Sequence, residues 1–197
     1  MVSIDLKESK LVLDYDVDLG YANEFIARKS VVDKLKQASL LLPEGLCLLV
    51  KEAHRPRAFQ SFIYNRRVIQ LFCSEEFEHL SPTQIHKLAS EYIAPPNVAG
   101  HPTGGAVDVS LIDKQGVEVD LGCKYDEDAA KSDGKCYSFF EDLTDNVKKN
   151  RRILFSCMGS AGFINYPFEW WHWSYGDKYW AAVKGTSHSL YSAIDHR

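Results

Sequence analysis

The segment "AVDVSLID", residues 106–113, runs on through "KQG" into "VEVDL", ending at residue 121, and its reading decides the fold. Its residues alternate, with Ala106, Asp108 and Ser110 on one side of an extended chain and Val107, Val109 and Leu111 on the other. The turn-forming "KQG" then sends the chain back through "VEVDL", which predicts a hairpin. A hairpin joins antiparallel neighbours, so the sheet around it is expected to be mostly antiparallel. With helices alternating with short strands on both sides of this segment, the expected class is α+β: a mostly antiparallel central sheet packed by helices.

Upstream, "LCLLVKEA" (46–53) is short, apolar and bounded by "PEG", the pattern of a central strand ending near Ala53. A helix is expected over Asn23 to Leu42, with Val31, Val32, Leu35, Ala38 and Leu42 on its buried face. A second starts at Pro56, with Phe59, Phe62, Ile63, Ile69 and Phe72 at helical spacing. "SPTQIHKLASEYIAPP" (81–96) reads as a third, capped by Ser81 and stopped by Pro95 and Pro96. Downstream, a polar loop leads to a helix over about Ser138 to Met158 with Leu143, Val147, Leu154 and Met158 buried, and a last strand lies in "FEWWHWSY" (168–175). At 197 residues and 45% apolar, the chain is expected to form a single domain over residues 1–197.

The net charge of -4, from 23 basic and 27 acidic residues spread along the chain, offers no run of one sign to grip nucleic acid or an anionic membrane. The longest apolar run, "LLLPEGLCLLV", is broken by Pro43 and Gly45, so no membrane span is expected. "MVSIDLKESK" lacks the apolar stretch of a secretory signal. The five cysteines, Cys47, Cys73, Cys123, Cys136 and Cys157, include no CxxC pair. A reducing, cytoplasmic location is therefore expected, which disfavours a bridge between Cys123 and Cys136. The expected partner is a small molecule or peptide.

His101 in "GHPTGGAVD" and His172 in "EWWHW" stand in unusual company. Gly104 and Gly105 allow a sharp turn between His101 and the strand carrying Asp108, so both side chains can converge, and Ala106 leaves room beside them. Two neutral imidazoles and one carboxylate suit zinc at ~2.0–2.2 Å, and three protein ligands leave a position open for water. Glu169, three residues before His172, is the candidate base for that water. Strand parity would send Glu169 and His172 to opposite faces, so the regular strand is expected to begin only around Trp171, with Glu169 in a turn or bulge. Arg55 in "EAHRPRAF" stands at a strand-to-helix junction, placed to bind a carboxylate or an oxyanion, whereas Arg57 inside the helix is expected to face solvent. Taken singly, each histidine is equally readable as a hydrogen-bonded core residue, Arg-Pro as a helix start, and Trp170, Trp171 and Trp173 as packing.

In this order, "HRP", "HxxGxAxD" over His101 to Asp108 and "EWWH" over Glu169 to His172 resemble the VanX-type D-alanyl-D-alanine dipeptidases, zinc enzymes of the wider D,D-peptidase and hedgehog-like α+β fold. The resemblance extends to "DLGYANEF" (18–25), "VDLGCKYD" (119–126) and "NRRILFSCMGSAGF" (150–163). It implies that His101, Asp108 and His172 ligate one Zn2+, that Glu169 is the general base, that Arg55 stabilises the transition state and that Asp126 receives the substrate ammonium. The implied activity is hydrolysis of D-alanyl-D-alanine or a similar short D-amino-acid dipeptide. The alternatives are a D,D-carboxypeptidase or endopeptidase acting on longer peptidoglycan peptides and a non-catalytic zinc-containing binding module. Ala99 stands where the family pattern has serine, "AHRP" replaces the usual Gly-Tyr before the arginine, and the segment between Phe25 and Val31 is short, so specificity is left open. Oligomeric state is open as well.

Overall fold

The computed structural model describes residues 1–194. In chain order the elements are β1 (Val2–Ser3), β2 (Leu11–Leu13), β3 (Ile26–Ala27), α1 (Lys29–Leu40), β4 (Leu46–Glu52), α2 (Arg57–Phe72), α3 (Pro82–Ser90), β5 (Ala106–Asp113), α4 (Asp145–Ser160), β6 (Ile164–Tyr166), β7 (Glu169–Ser174) and α5 (Lys178–Lys184). The main sheet has the order β2-β4-β5-β7-β6, and β1 pairs with β3 in a small second sheet. Every pair in the main sheet is antiparallel except β2 with β4. The fold is α+β, as the alternation in "AVDVSLID" predicts.

Val107, Val109 and Leu111 of β5 point into the core, where they join Val31 and Leu35 of α1 and Leu154 and Met158 of α4. Each such side chain, wholly withdrawn from water, contributes about 1.5–3 kcal/mol. The opposite face of β5 carries Asp108 and Ser110, also buried. A second, smaller cluster joins Tyr64, Val68 and Leu71 of α2 to Ile85 and Ala89 of α3.

Several boundaries differ from the expected ones. The first helix begins at Lys29, not Asn23, because Phe25 adopts φ 46° and Ile26–Ala27 pair with Val2–Ser3. The third ends at Ser90, although Ser81 caps it as expected, with the Gln84 side chain returning the bond to the Ser81 N–H. The helix expected from Ser138 starts at Asp145, where the Thr144 hydroxyl accepts from the Val147 N–H. The return arm of the hairpin is a single bridge, Ile112 to Glu118, flanked by bonds from the Val119 N–H to the Leu111 carbonyl and from the Asp113 N–H to the Val117 carbonyl. On α2 the buried side is not the expected one: α3 covers Tyr64, Val68 and Leu71, whereas of the expected stripe Phe62, Ile69 and Phe72 are exposed and Phe59 and Ile63 only half-buried. All five cysteines are free thiols. Among the described residues, no helix is long and apolar enough to cross a membrane.

Candidate active site

Sheet register assembles the centre of the site. Glu52 of β4 lies opposite Asp108 of β5, and Asp108 opposite His172 of β7, so the three form one row across the sheet. His101 joins them from a short 3-10 turn, 101–103, that ends at Gly104 with φ 68°, a conformation open to glycine. A β-carbon on Gly105 would stand 2.8 Å from the Tyr175 carbonyl oxygen, so the close approach of this turn to the end of β7 needs a bare backbone. Arg28 holds the turn from outside through a bond from its Nε to the Thr103 carbonyl at 2.8 Å.

His101 Nδ1 donates to the Ala53 carbonyl at 2.7 Å, and a carbonyl can only accept, so in the neutral ring it is Nε2 whose lone pair faces the site. That Nε2 lies 3.2 Å from His172 Nδ1 and 3.3 Å from Asp108 Oδ1, while His172 Nδ1 is 2.9 Å from the same Asp108 oxygen. The three potential ligand atoms all lie within 4.8 Å of one another. Burial alone would raise the Asp108 pKa, but the two histidines outweigh it and hold the carboxyl well below the usual range. Burial likewise disfavours charge on His172, yet its hydrogen bond to Asp108 and that residue's charge keep the imidazole pKa up at about 9. Two imidazole nitrogens and a carboxylate oxygen gathered around one point, with the outer His101 N–H anchored on a carbonyl, are a donor set that fits a zinc-like cation.

Glu169 reaches this centre through a bulge. Tyr166 lies opposite Glu169 and its neighbour Asn165 opposite Trp173, so Trp170, Trp171 and His172 stand between them without partners on β6. The Asn165 side-chain amide fills that gap, donating to the carbonyls of Glu169 and Trp170 at 3.2 Å each and of His172 at 3.0 Å. The distortion places Glu169 Oε2 3.9 Å from His172 Nδ1, on the same side of the strand. The expected bend therefore exists, but β7 begins at Glu169 and not at Trp171, because the bulge lies within the strand. Burial, reinforced by Asp108 and Asp126 against the two histidines, pushes the Glu169 carboxyl up to about 7.

Arg55 faces the same cavity, whereas Arg57 is exposed. Glu52, wholly buried, receives the Arg55 Nε and Nη2 at 2.6 Å each, and Gln60 Oε1 receives Nη1 at 2.9 Å. Tyr21 also donates to Glu52, at 2.7 Å, and Tyr125 to Asp108 Oδ2, at 3.0 Å. Next to Tyr125, Asp126 is held in the left-handed region at φ 62°. Its surface opens into the cleft, yet the surrounding protein excludes enough water, and Asp108 adds enough repulsion, to push its pKa up to about 6. The loop carrying it is pinned by buried Arg151, whose Nε donates to the Leu121 carbonyl at 2.8 Å and whose Nη1 donates to that of Tyr137 at 2.6 Å, with Nη2 on that of Lys135. The cavity has a volume of about 760 Å³ and is lined by all six expected site residues, with Ala99 in its wall.

Sequence reasoning did not find Glu52, Gln60, Tyr125, Asn165 or Arg151. Glu52 carried a usable signal: a carboxylate at the end of an apolar strand, three residues before Arg55, has to find a cation. Asn165 carried none, since its bonds depend on a pairing between strands that the local pattern does not reveal.

The chain is similar to the D-alanyl-D-alanine dipeptidase of Synechocystis sp., at 32% identity over 80% of this chain and 72% of that protein. It is also similar to the D-alanyl-D-alanine dipeptidase of Escherichia coli, at 25% identity over 70% of this chain and 59% of that one. Among solved structures it resembles a vancomycin-resistance D,D-pentapeptidase, VanY, in complex with Zn(II), with 16% identity, 95% and 91% coverage and a TM-score of 0.42. Residues 11–189 match the Peptidase M15 family described as D-ala-D-ala dipeptidase, and with the Synechocystis relative this identifies the chain as a member of that metallopeptidase family.

Proposed function

We propose that this chain hydrolyses D-alanyl-D-alanine, with His101, Asp108 and His172 holding one Zn2+ ion, Glu169 as general base, Arg55 facing the oxyanion and Asp126 receiving the substrate ammonium. The observation that carries this reading is the gathering of the three ligand atoms within 4.8 Å with the Glu169 carboxylate beside them. When bound there, zinc acidifies a water molecule and polarises the scissile carbonyl.

Glu169 takes the proton of the attacking water and passes it to the leaving amine, a role that favours a pKa near the working pH. Its raised value of about 7 belongs to the metal-free protein; a cation at the neighbouring ligands draws it down and keeps the carboxylate ionised. Three N–H bonds of Arg55 are committed to Glu52 and Gln60, which fixes the plane of the guanidinium and leaves its remaining donors for the oxyanion. Asp126 opens into the same cavity and offers its carboxylate to the free amine of the dipeptide.

A binding module without turnover has no use for Glu169 and Arg55 in one cavity, and their presence favours an enzyme. We read residues 1–197 as one catalytic domain, in keeping with a main core cluster that spans Ile4 to Trp173. Five free thiols accord with a reducing, cytoplasmic setting. The test is a metal assay combined with hydrolysis of D-alanyl-D-alanine against its L,L isomer. We expect one zinc per chain and cleavage of the D,D form only; equal cleavage of both isomers, or full activity after thorough chelation, refutes the reading. Glu169→Ala should lower turnover by about 10²–10⁴-fold with zinc retained.

A further inference from the structure

Tyr125 stands in the site without a part in the proposed reaction. Its hydroxyl lies 3.0 Å from Asp108 Oδ2 and 3.3 Å from Glu52 Oε2, between two buried carboxylates. A phenol keeps its proton at neutral pH and has only one to give, so it serves one carboxylate at a time. Glu52 is already well supplied: Arg55 Nε and the Tyr21 hydroxyl donate to its Oε1, and Arg55 Nη2 donates to its Oε2 at 2.6 Å. Asp108 Oδ2 is the nearer acceptor, and among the described residues no other hydrogen-bond donor reaches it. The proton of Tyr125 therefore belongs on Asp108.

The ring that carries this hydroxyl is held by side chains of the sheet. Trp171 of β7 meets it edge to face with centroids 5.6 Å apart, and the Lys51 ammonium of β4 lies 5.7 Å from its centroid. Lys51 is fixed in turn, at 2.8 Å from Asp14 Oδ2 and 2.6 Å from Glu118 Oε2. The two oxygens of Asp108 are thus divided between two tasks. Both histidines approach Oδ1, at 2.9 and 3.3 Å, while Oδ2 is capped from the other side.

We propose that Tyr125 is a positioning residue for the metal centre: by occupying Asp108 Oδ2 it leaves Oδ1 as the single carboxylate atom offered to the cation. The inference rests on the proposed function, in which His101, Asp108 and His172 hold the ion. A carboxylate with both oxygens free can bind a cation through one or through two, and the second takes space that a hydrolytic site keeps open for water. The hydroxyl removes that choice. A hydrogen bond to a ligating carboxylate also fixes its orientation, and loss of such a bond typically costs about 10–100-fold in metal affinity or activity.

The experiment uses the full chain with Co2+ in place of Zn2+, and reads the visible absorption of the bound ion and its affinity by competition with a chelator. Four-coordinate Co2+ absorbs strongly in the visible and six-coordinate Co2+ weakly, so the intensity reports how many ligand atoms surround the metal. We expect strong bands for the unmodified protein. Tyr125→Phe keeps the ring and its packing on Trp171, and should show weaker bands together with an affinity lowered about 10–100-fold. Tyr21→Phe, which removes a hydroxyl from Glu52 alone among the two carboxylates, should match the unmodified protein in both. A Tyr125→Phe spectrum identical to that of the unmodified protein overturns the inference whatever its affinity, because damaged packing alone weakens binding without changing the ligand set. Weak bands in the unmodified protein, or the same spectral change in Tyr21→Phe, overturn it too. Failure of the unmodified protein to bind Co2+, or undiminished binding by Asp108→Asn, overturns the metal centre and with it the proposed function.

Discussion

The two halves of the cleft are built by different means. On the metal-facing half, Glu52, Asp108 and His172 are cross-strand neighbours on β4, β5 and β7, so the ladder that makes the sheet also sets their spacing. On the half that carries Asp126, that residue and Tyr125 lie in the connection between β5 and α4, outside any helix or strand, and the carbonyls of that connection are tied to a single guanidinium, Arg151. A ladder fixes positions to fractions of an ångström, whereas a pinned loop can differ between proteins while the ligands stay in place. The contrast suggests that the sheet sets the chemistry and the loop sets what is bound.

The largest expected effect comes from breaking the row. Asp108→Asn removes the carboxylate shared by both histidines, and we expect metal to be lost on dialysis and turnover to fall by more than about 10²-fold. Stoichiometric zinc with full activity would mean that the row does not hold the metal. A smaller effect follows from loosening the loop: Arg151→Lys cannot reach all the carbonyls, so KM for the dipeptide should rise about tenfold and stability drop by about 1–3 kcal/mol, with kcat and metal content preserved. A matching fall in kcat would show that the halves are not separable.

The smallest effect is one of pH. With a pKa of about 6, Asp126 is a carboxylate at neutral pH and gains a proton as the pH falls through that value, which removes its attraction for an ammonium. The burial that chiefly raises this pKa persists with zinc bound, while the cation offsets the Asp108 contribution and draws the value below about 6. At saturating zinc, KM should therefore increase on acidification once the pH falls below that pKa, by up to about tenfold per unit, while Asp126→Asn should give a flat and higher KM over the same range. A wild-type KM that stays level from about pH 7 to about pH 5 would separate Asp126 from the substrate amine.

Much of the metal-facing half was legible in the sequence. The alternation around Asp108, the glycines after His101 and the parity conflict between Glu169 and His172 are local features with direct geometric consequences. Other parts were hidden for physical reasons. Strands as short as β2 and β6 are too brief to display a period, and they exist because of partners far away in sequence. The helix α2 bears apolar residues on two sides, and only the position of α3 decides which side is covered. Parity required a distortion near Glu169, but the side chain that sustains it is on another strand.

That side chain has a consequence for how the enzyme can change. Asn165 does not line the cavity, yet one amide group gathers three carbonyls of β7 and so keeps Glu169 and His172 on one side. The separation between Glu169 and His172 is thus stored on the edge strand of the sheet. Drift at that rim can silence or retune the enzyme with every cleft residue intact, and a variant library confined to the cavity walls would leave this source of control untouched.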